Sequence, residues 1–321
     1  MSKTDVSIVI CTRNRPESLQ ETLGCLERSR LGDARIALNV VDNCSRDGTR
    51  KVVESFSDRL PIRYLIEEHA GKSYALNRAL DEGDMGAIIA FLDDDIAVRK
   101  EWMAGVRAIT SRNPDYDFFT GRTLVRWPAT DIPVWARNGT LANWAFSGMD
   151  WARADTPIRQ GRWAPGGHFW LRRSVIDAGY RFPNVWATEP RFMLKLTEDG
   201  YRGLMGPDAV VEHRVQQELL DRGVIRRRAI LAGRETASAL VRFPNVTRPG
   251  RLLARHPIGY HLICLCALTY WRLKYSLSWR KRDSEDGFAS YINALERSSF
   301  FGELLRVGSE VRAGWRNQDR S

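Results

Sequence analysis

The sequence predicts an α/β protein: a mostly parallel central sheet flanked by helices, followed by a helical, basic C-terminal extension. Three observations carry this. Short apolar runs alternate with helix-period segments through the first hundred residues, a spacing that suits strand–helix–strand units. Polar residues collect at the C-terminal ends of the strand-like runs. The charge divides along the chain, its basic excess confined to the last third.

The elements follow in order. "VSIVICT" (6–12) is a short β-branched strand, and "RPESLQETLGCLERS" (15–29) a helix opened by Pro16, with Leu19, Leu23 and Leu26 on one face. "RIALNVVDN" (35–43) is a second strand ending in polar residues. "SRDGTRKVVESFS" (45–57) is a turn and then a helix with Val52, Val53 and Phe56 on one side. "IRYLIEE" (62–68) is a third strand, "KSYALNRALDEG" (72–83) a helix closed by Gly83, and "GAIIAFLDDD" (86–95) a fourth strand. The stretch 111–215 is less regular, rich in Trp and Gly, and ends in a strand-to-helix pattern at 187–203. Three regions result: 1–110, 111–215 and a helical 216–321.

A chain of 321 residues with 43% hydrophobic and 27% charged residues has ample material for a core. It opens on "MSKTDVSIVICTRNRP", which runs into a strand-like stretch with no basic-then-apolar leader. The five cysteines form no paired metal-ligand spacing; Cys11, Cys25 and Cys44 read as small buried residues, and a reduced, cytoplasmic setting without structural zinc is expected. Net charge is +10, but 222–282 holds fourteen basic residues against Glu235 alone, a net +13 that leaves the rest at −3. Such a patch suits anionic lipid headgroups or nucleic acid.

In parallel sheets with helices on both faces, ligands bind beyond the C-terminal ends of the strands. Thr12-Arg13-Asn14, Asp42-Asn43, Glu67-Glu68 and Asp93-Asp94-Asp95 all fall there. Three adjacent carboxylates at the end of an apolar strand raise one another's pKa unless a cation neutralises them. A hard divalent ion answers this, taking one or two carboxylates and filling its other positions with water and phosphate oxygens. The alternative is a polar loop capping a helix that begins near Glu101-Trp102.

"VSIVICTRNRPESLQETLGCL", "NVVDNCSRDGT", "GKSYALNRAL", "FLDDD" and "ATEPRFMLKLTEDGYR" resemble, in this order, the motifs of glycosyltransferase family 2. The resemblance spans about 6–213 and implies the Rossmann-like GT-A fold, in which 1–110 binds the nucleotide sugar and 111–215 the acceptor. It implies that Thr12, Arg13 and Asn14 line the nucleotide pocket, and that Asp42 accepts from a base N–H, which favours UDP, although other bases also offer one. Asp42 also reads as a turn or helix cap, and Lys72 as a solvated helix-start lysine. By resemblance Lys72 approaches the diphosphate. Asp93-x-Asp95 matches the DxD motif: Asp95 is the expected ligand of Mn²⁺ or Mg²⁺, with Asp93 and Asp94 on the nucleotide side.

The inverting reaction implied needs a base for the acceptor hydroxyl. Glu189 falls on that position, but "TEPR" departs from the family's acidic run: Thr188 and Arg191 stand where acids are usual, and Glu replaces Asp. A helix cap is the plainer reading of Glu189 beside Pro190. His213 matches a histidine that serves some members as a further metal ligand, and otherwise reads as structural. By resemblance, Gly166 and Gly167 fall in the family's stretch beside the donor sugar, where they would allow close approach, with Trp163 as a candidate aromatic face for a sugar ring.

Within "HPIGYHLICLCALTYWRLKYSLSWRKR" (256–282), Leu262–Trp271 is an uncharged stretch too short to span a bilayer, which takes ~20 apolar residues. Flanked by Arg272, Lys274 and Arg280–Arg282, it reads as an interfacial helix on an anionic membrane, or as a helix buried on the core or in a homodimer. The first reading implies a peripheral protein at the inner face of the plasma membrane, acting on a saccharide or lipid-linked acceptor. No nucleic-acid partner is expected. Two classes of function remain: a metal-dependent inverting glycosyltransferase, or a catalytically inactive relative that docks on membrane or nucleic acid.

Overall fold

A computed structural model describes residues 4–128, 131–137, 145–158, 166–185, 187–243, 257–282 and 284–318. Two compact units divide the chain: Met1–Arg126 with Ser147–Arg214, and Trp127–Phe146 with Val215–Ser321.

The first unit holds a mixed sheet. Its strands are β1 (Val6–Thr12), β2 (Ile36–Asn43), β3 (Ile62–Glu67), β4 (Ile88–Asp93), β5 (Ile96–Val98), β6 (Phe118–Arg126), β7 (Thr156–Pro157), β8 (His168–Arg172) and β9 (Gly203–Arg214). They run β3-β2-β1-β4-β8-β6-β9-β5, with β7 beside β9. The first four strands are parallel, whereas β8 joins β4 and β6 antiparallel, and β5 and β7 run antiparallel to β9. The parallel half matches the strand–helix alternation of the sequence; the mixed half, in which β6 and β9 pair in parallel, comes mostly from the irregular middle.

Helices α1 (Pro16–Arg28), α2 (Thr49–Phe56), α3 (Lys72–Glu82), α4 (Trp102–Arg112), α5 (Arg173–Asp177) and α6 (Thr188–Glu198) accompany this sheet. Side chains alternate faces along a strand. Thus Ile8 and Ile10 of β1 pack with Leu19, Leu23, Val53 and Trp102 from α1, α2 and α4. Val9 points the other way, into a cluster with Ala75, Leu76, Phe91, Phe169 and Phe192. Burial on both faces explains why these strands read as continuous apolar runs.

The chain leaves β1 toward β2 and β3 on one side and returns to place β4 on the other, so the order reverses beside β1. At that reversal the register sets Cys11 opposite Asp93 and Thr12 opposite Asp42. A crevice opens at this switch point in parallel sheets.

The second unit is helical, with α7 (Arg222–Arg242), α8 (Pro257–Ser278) and α9 (Glu285–Gln318). Ala237, Leu240, Cys264 and Leu304 share its core. Gly233 lets α7 approach α9 closely: a Cβ there would lie 2.9 Å from the Phe300 amide nitrogen. Among the described residues no helix is long and apolar enough to cross a membrane.

Candidate active site

The apolar strand β4 stops at Asp93 because the next two carbonyls are captured elsewhere. Asp94 O accepts from Ser18 Oγ and Thr22 Oγ1, each at 2.8 Å, and from Arg214 Nη2 at 3.0 Å. Asp95 O accepts from the Arg214 backbone amide at 3.0 Å. These bonds turn the chain and fan out the three carboxylates.

Arg15 serves both Asp94 and Asp95, and Lys72 serves Asp93. Asp94 accepts from Arg15 Nη1 at 2.6 Å and from Thr12 Oγ1 at 2.7 Å. Asp95 Oδ2 accepts from Arg15 Nη2 at 3.1 Å and lies 3.6 Å from His213 Nε2. Asp93 Oδ1 accepts from Lys72 Nζ at 2.5 Å. Burial pushes the Asp94 carboxyl up to about 6, with Arg15 opposing. Burial acts on Asp95 too, but its hydrogen bond with His213 and the charges of His213 and Arg15 outweigh it and hold Asp95 below the usual carboxylate range. For Asp93 burial prevails over the Lys72 charge and the shift is upward.

Arg15 was missed by the sequence reading, which used only the proline after it. A signal existed: a cation at the N-terminus of α1 opposes the helix dipole, so it needs a specific anionic partner. Arg214 left no comparable trace, since its partners lie in α1 and the β4–β5 turn.

The opposite wall comes from α3 and α6. Gly71, at φ 146°, leads into α3 and its amide donates to Asn43 Oδ1 at 2.8 Å, which fixes where Lys72 emerges. The Lys72 ammonium contacts Asp93 and also ion-pairs with Glu189 Oε1. Burial alone would lower the Lys72 pKa; the two carboxylates reverse this and raise it well above the ordinary lysine value. Ala187, left-handed at φ 55°, precedes α6, and Glu189 in its first turn is buried. The Glu189 side chain meets Lys72 across the cleft, from the N-terminal turn of its helix. Gly166 and Gly167 fit between these groups: a Cβ on Gly166 would lie 2.8 Å from Glu189 Cδ, and one on Gly167 2.7 Å from Asp93 Oδ2.

Between the walls lies a cleft of about 270 Å³ lined by Cys11, Thr12, Arg13, Arg15, Asn43, Gly71, Lys72, Ala75, Asp93 and Asp94. Asn14, left-handed at φ 51°, ties this loop to the next: its amide donates to Ser45 Oγ at 2.9 Å and its side chain accepts from the Arg46 amide at 2.8 Å. Asp42 is buried and accepts from Tyr64 Oη at 2.6 Å and the Ser45 amide at 2.9 Å. Burial drives the Cys11 thiol far above its ordinary pKa, so it is no nucleophile at neutral pH. Trp163 lies outside the described residues.

Among the described residues no three or more His, Cys, Asp or Glu side chains group to hold a metal. The donor set nonetheless fits an ion that keeps water and phosphate ligands, which needs only one or two protein groups. Asp95 Oδ1 is buried without a hydrogen-bond partner while Oδ2 is engaged, and a buried, unpaired carboxylate oxygen is rare without a cation to meet it. His213 stands on the same carboxylate.

Residues 7–176, more than half the chain, match the sequence model of glycosyl transferase family 2. The chain belongs to that family. The glycosyltransferase AglE of Haloferax volcanii is 27% identical over 214 residues, 65% of this chain and 66% of AglE. The succinoglycan biosynthesis protein ExoM of Rhizobium meliloti is 33% identical over 147 residues, 44% of this chain and 46% of ExoM. The alignments thus span about two thirds and about half of these relatives. Among solved structures, the mannosyltransferase PcManGT from Pyrobaculum calidifontis, in complex with GDP-Man and Mn²⁺, superposes with a TM-score of 0.61 at 19% identity, covering 92% of this chain and 86% of that one. S. aureus TarS 1–349 in complex with UDP gives 0.54 at 16% identity, covering 97% and 92%. At these identities the likeness is one of fold, the GT-A arrangement expected of this family.

Proposed function

We propose that this family 2 member is a metal-dependent, inverting glycosyltransferase. It moves a sugar from a nucleoside-diphosphate sugar, UDP-linked in the favoured case, to a hydroxyl of a saccharide or lipid-linked acceptor. The observation that carries this is the contact of one ammonium, Lys72, with both Asp93 and Glu189. It brings the candidate base to the edge of the candidate diphosphate site, where an inverting transfer needs it.

In this reading Glu189 takes the proton of the acceptor hydroxyl as its oxygen bonds to the anomeric carbon. The bond from that carbon to the diphosphate breaks, and the diphosphate leaves as an anion on the opposite face. Lys72 supplies positive charge where the diphosphate develops negative charge. Asp95 and His213 would hold Mn²⁺ or Mg²⁺, which when bound supplies Lewis-acid stabilisation of the leaving group. Solved members of the fold carry UDP in one case and GDP-Man with Mn²⁺ in another, which supports a nucleotide-sugar donor. Asp42, Thr12 and Arg13 are suited to the nucleotide, and Gly166 and Gly167 to the donor sugar.

Hydrolysis of a panel of nucleotide sugars with Mn²⁺ present tests the donor, and Glu189→Gln tests the base. The variant is expected to bind UDP as the parent does and to lose transfer; undiminished transfer removes Glu189 from the role. UDP binding with no turnover on any donor would favour the inactive-relative reading.

A further inference from the structure

Helix α8 presents an apolar face that none of the described residues of its own unit covers. Leu262, Ile263, Leu265, Tyr270, Leu273 and Leu277 are 48–67% exposed, whereas Cys264 and Leu268 point inward at 2% and 7%. At roughly 100° per residue these six exposed side chains fall on one continuous arc of about 160°. Arg272 and Lys274, both exposed, stand at its two opposite margins. Beyond the helix end Trp279 is partly exposed, with the Arg282 guanidinium 4.2 Å from its ring centre.

We propose that this face of α8 is a membrane-insertion surface, lying flat in the interface of a bilayer rich in anionic lipid. The stripe enters the acyl boundary, and Arg272, Lys274 and Arg280 reach the headgroups. An apolar stripe bordered by basic residues, with Tyr and Trp at its edge, has the make-up of an interfacial helix. Charge selects the occupant. The segment 222–282 carries a net +13, which an anionic surface attracts; a second copy laid on the same stripe would bring two such excesses together. The inference extends the reading of the chain as a transferase acting on a lipid-linked acceptor, by naming the surface that brings it to that acceptor.

The test is co-flotation of the full chain with vesicles of phosphatidylcholine alone and with about a third phosphatidylglycerol. Binding is expected only to the anionic vesicles and should weaken with salt. Leu262→Ser/Leu273→Ser/Leu277→Ser should lower partitioning at least tenfold with circular dichroism unchanged. Arg272→Glu/Lys274→Glu, which leaves the stripe intact, should lower it at low salt and converge on the parent at high salt. No binding to anionic vesicles overturns the proposal, as does partitioning indifferent to the serine variant. A dimer in light scattering that the serine variant dissolves would assign the stripe to a second copy instead. UDP binding is measured separately on the vesicle-free protein, so vesicle binding without a nucleotide site refutes the transferase reading alone, and a nucleotide site without vesicle binding refutes this inference alone.

Discussion

Lys72 and Glu189 are ion-paired across the cleft, joining the first turn of α3 to the first turn of α6. The same ammonium bonds to Asp93, so one cation holds two carboxylates that would otherwise repel. Lys72→Met removes this link and the positive charge beside the leaving group. Loss of one preorganised charge at a developing anion costs ~10²–10³ in rate, and a fall in kcat/KM of that order is expected. Lys72→Arg should recover only part, because a planar guanidinium cannot meet both oxygens as a compact ammonium does. Transfer kinetics on the two variants check this; equal rates in parent and Lys72→Met would refute the role.

Asp95 is the residue to change for the metal. Its Oδ1 is unpaired and buried while Arg15 holds Oδ2. Asp95→Ala is expected to leave UDP binding that no longer responds to Mn²⁺, read by calorimetry with and without the ion. Direct Mn²⁺ binding, followed by electron paramagnetic resonance, should fall at least tenfold, equivalent to ~1.4 kcal/mol or more. Metal-enhanced UDP binding equal to the parent's would sink the assignment.

Gly166 and Gly167 are neighbours with separable roles. Neither has the positive φ that itself demands glycine, so only space restricts them. A methyl on Gly166 would press on Glu189, and one on Gly167 on Asp93. Gly166→Ala should therefore lower kcat with UDP affinity kept, since a displacement near 1 Å of a reacting group can cost ~10²-fold. Gly167→Ala should weaken nucleotide binding first. Paired kcat and UDP Kd measurements separate the two; identical profiles would contradict the split.

Much of the parallel half was legible because apolar runs and helix periods are local signals. The runs read at 6–12, 35–43 and 62–68 form as Val6–Thr12, Ile36–Asn43 and Ile62–Glu67. The fourth run read as far as Asp95, yet β4 stops at Asp93 and a short β5 follows. What stops it is Arg214, Ser18 and Thr22 on the turn carbonyls, partners far away in sequence that no window could register. The triplet posed one question about a cation, and Asp93 and Asp94 already have protein cations in Lys72 and Arg15. Asp95 shares Arg15 through one oxygen and keeps the other buried with no hydrogen-bond partner. Sequence spacing could place three carboxylates at a strand end, but not apportion them.

His168 supplies a stability prediction independent of catalysis. It is buried, its Nε2 accepts from Trp102 Nε1 at 2.9 Å, and its Nδ1 lies 3.4 Å from Thr123 Oγ1. The ring is therefore neutral with its proton on Nδ1. Burial pushes its pKa down to about 3. Unfolded histidine titrates near 6.5, so below that pH the unfolded chain binds a proton that the folded chain refuses. The stabilisation is complete above about pH 6.5 and is lost at ~1.4 kcal/mol per pH unit as pH falls toward 3. His168→Gln keeps an acceptor for Trp102 but does not titrate. Urea unfolding at pH 6.5 and pH 5 should show the parent losing ~2 kcal/mol more than the variant over that interval. The carboxylates titrate in both proteins and cancel in the difference, so equal losses would mean that His168 is protonated in the fold or is not buried as described.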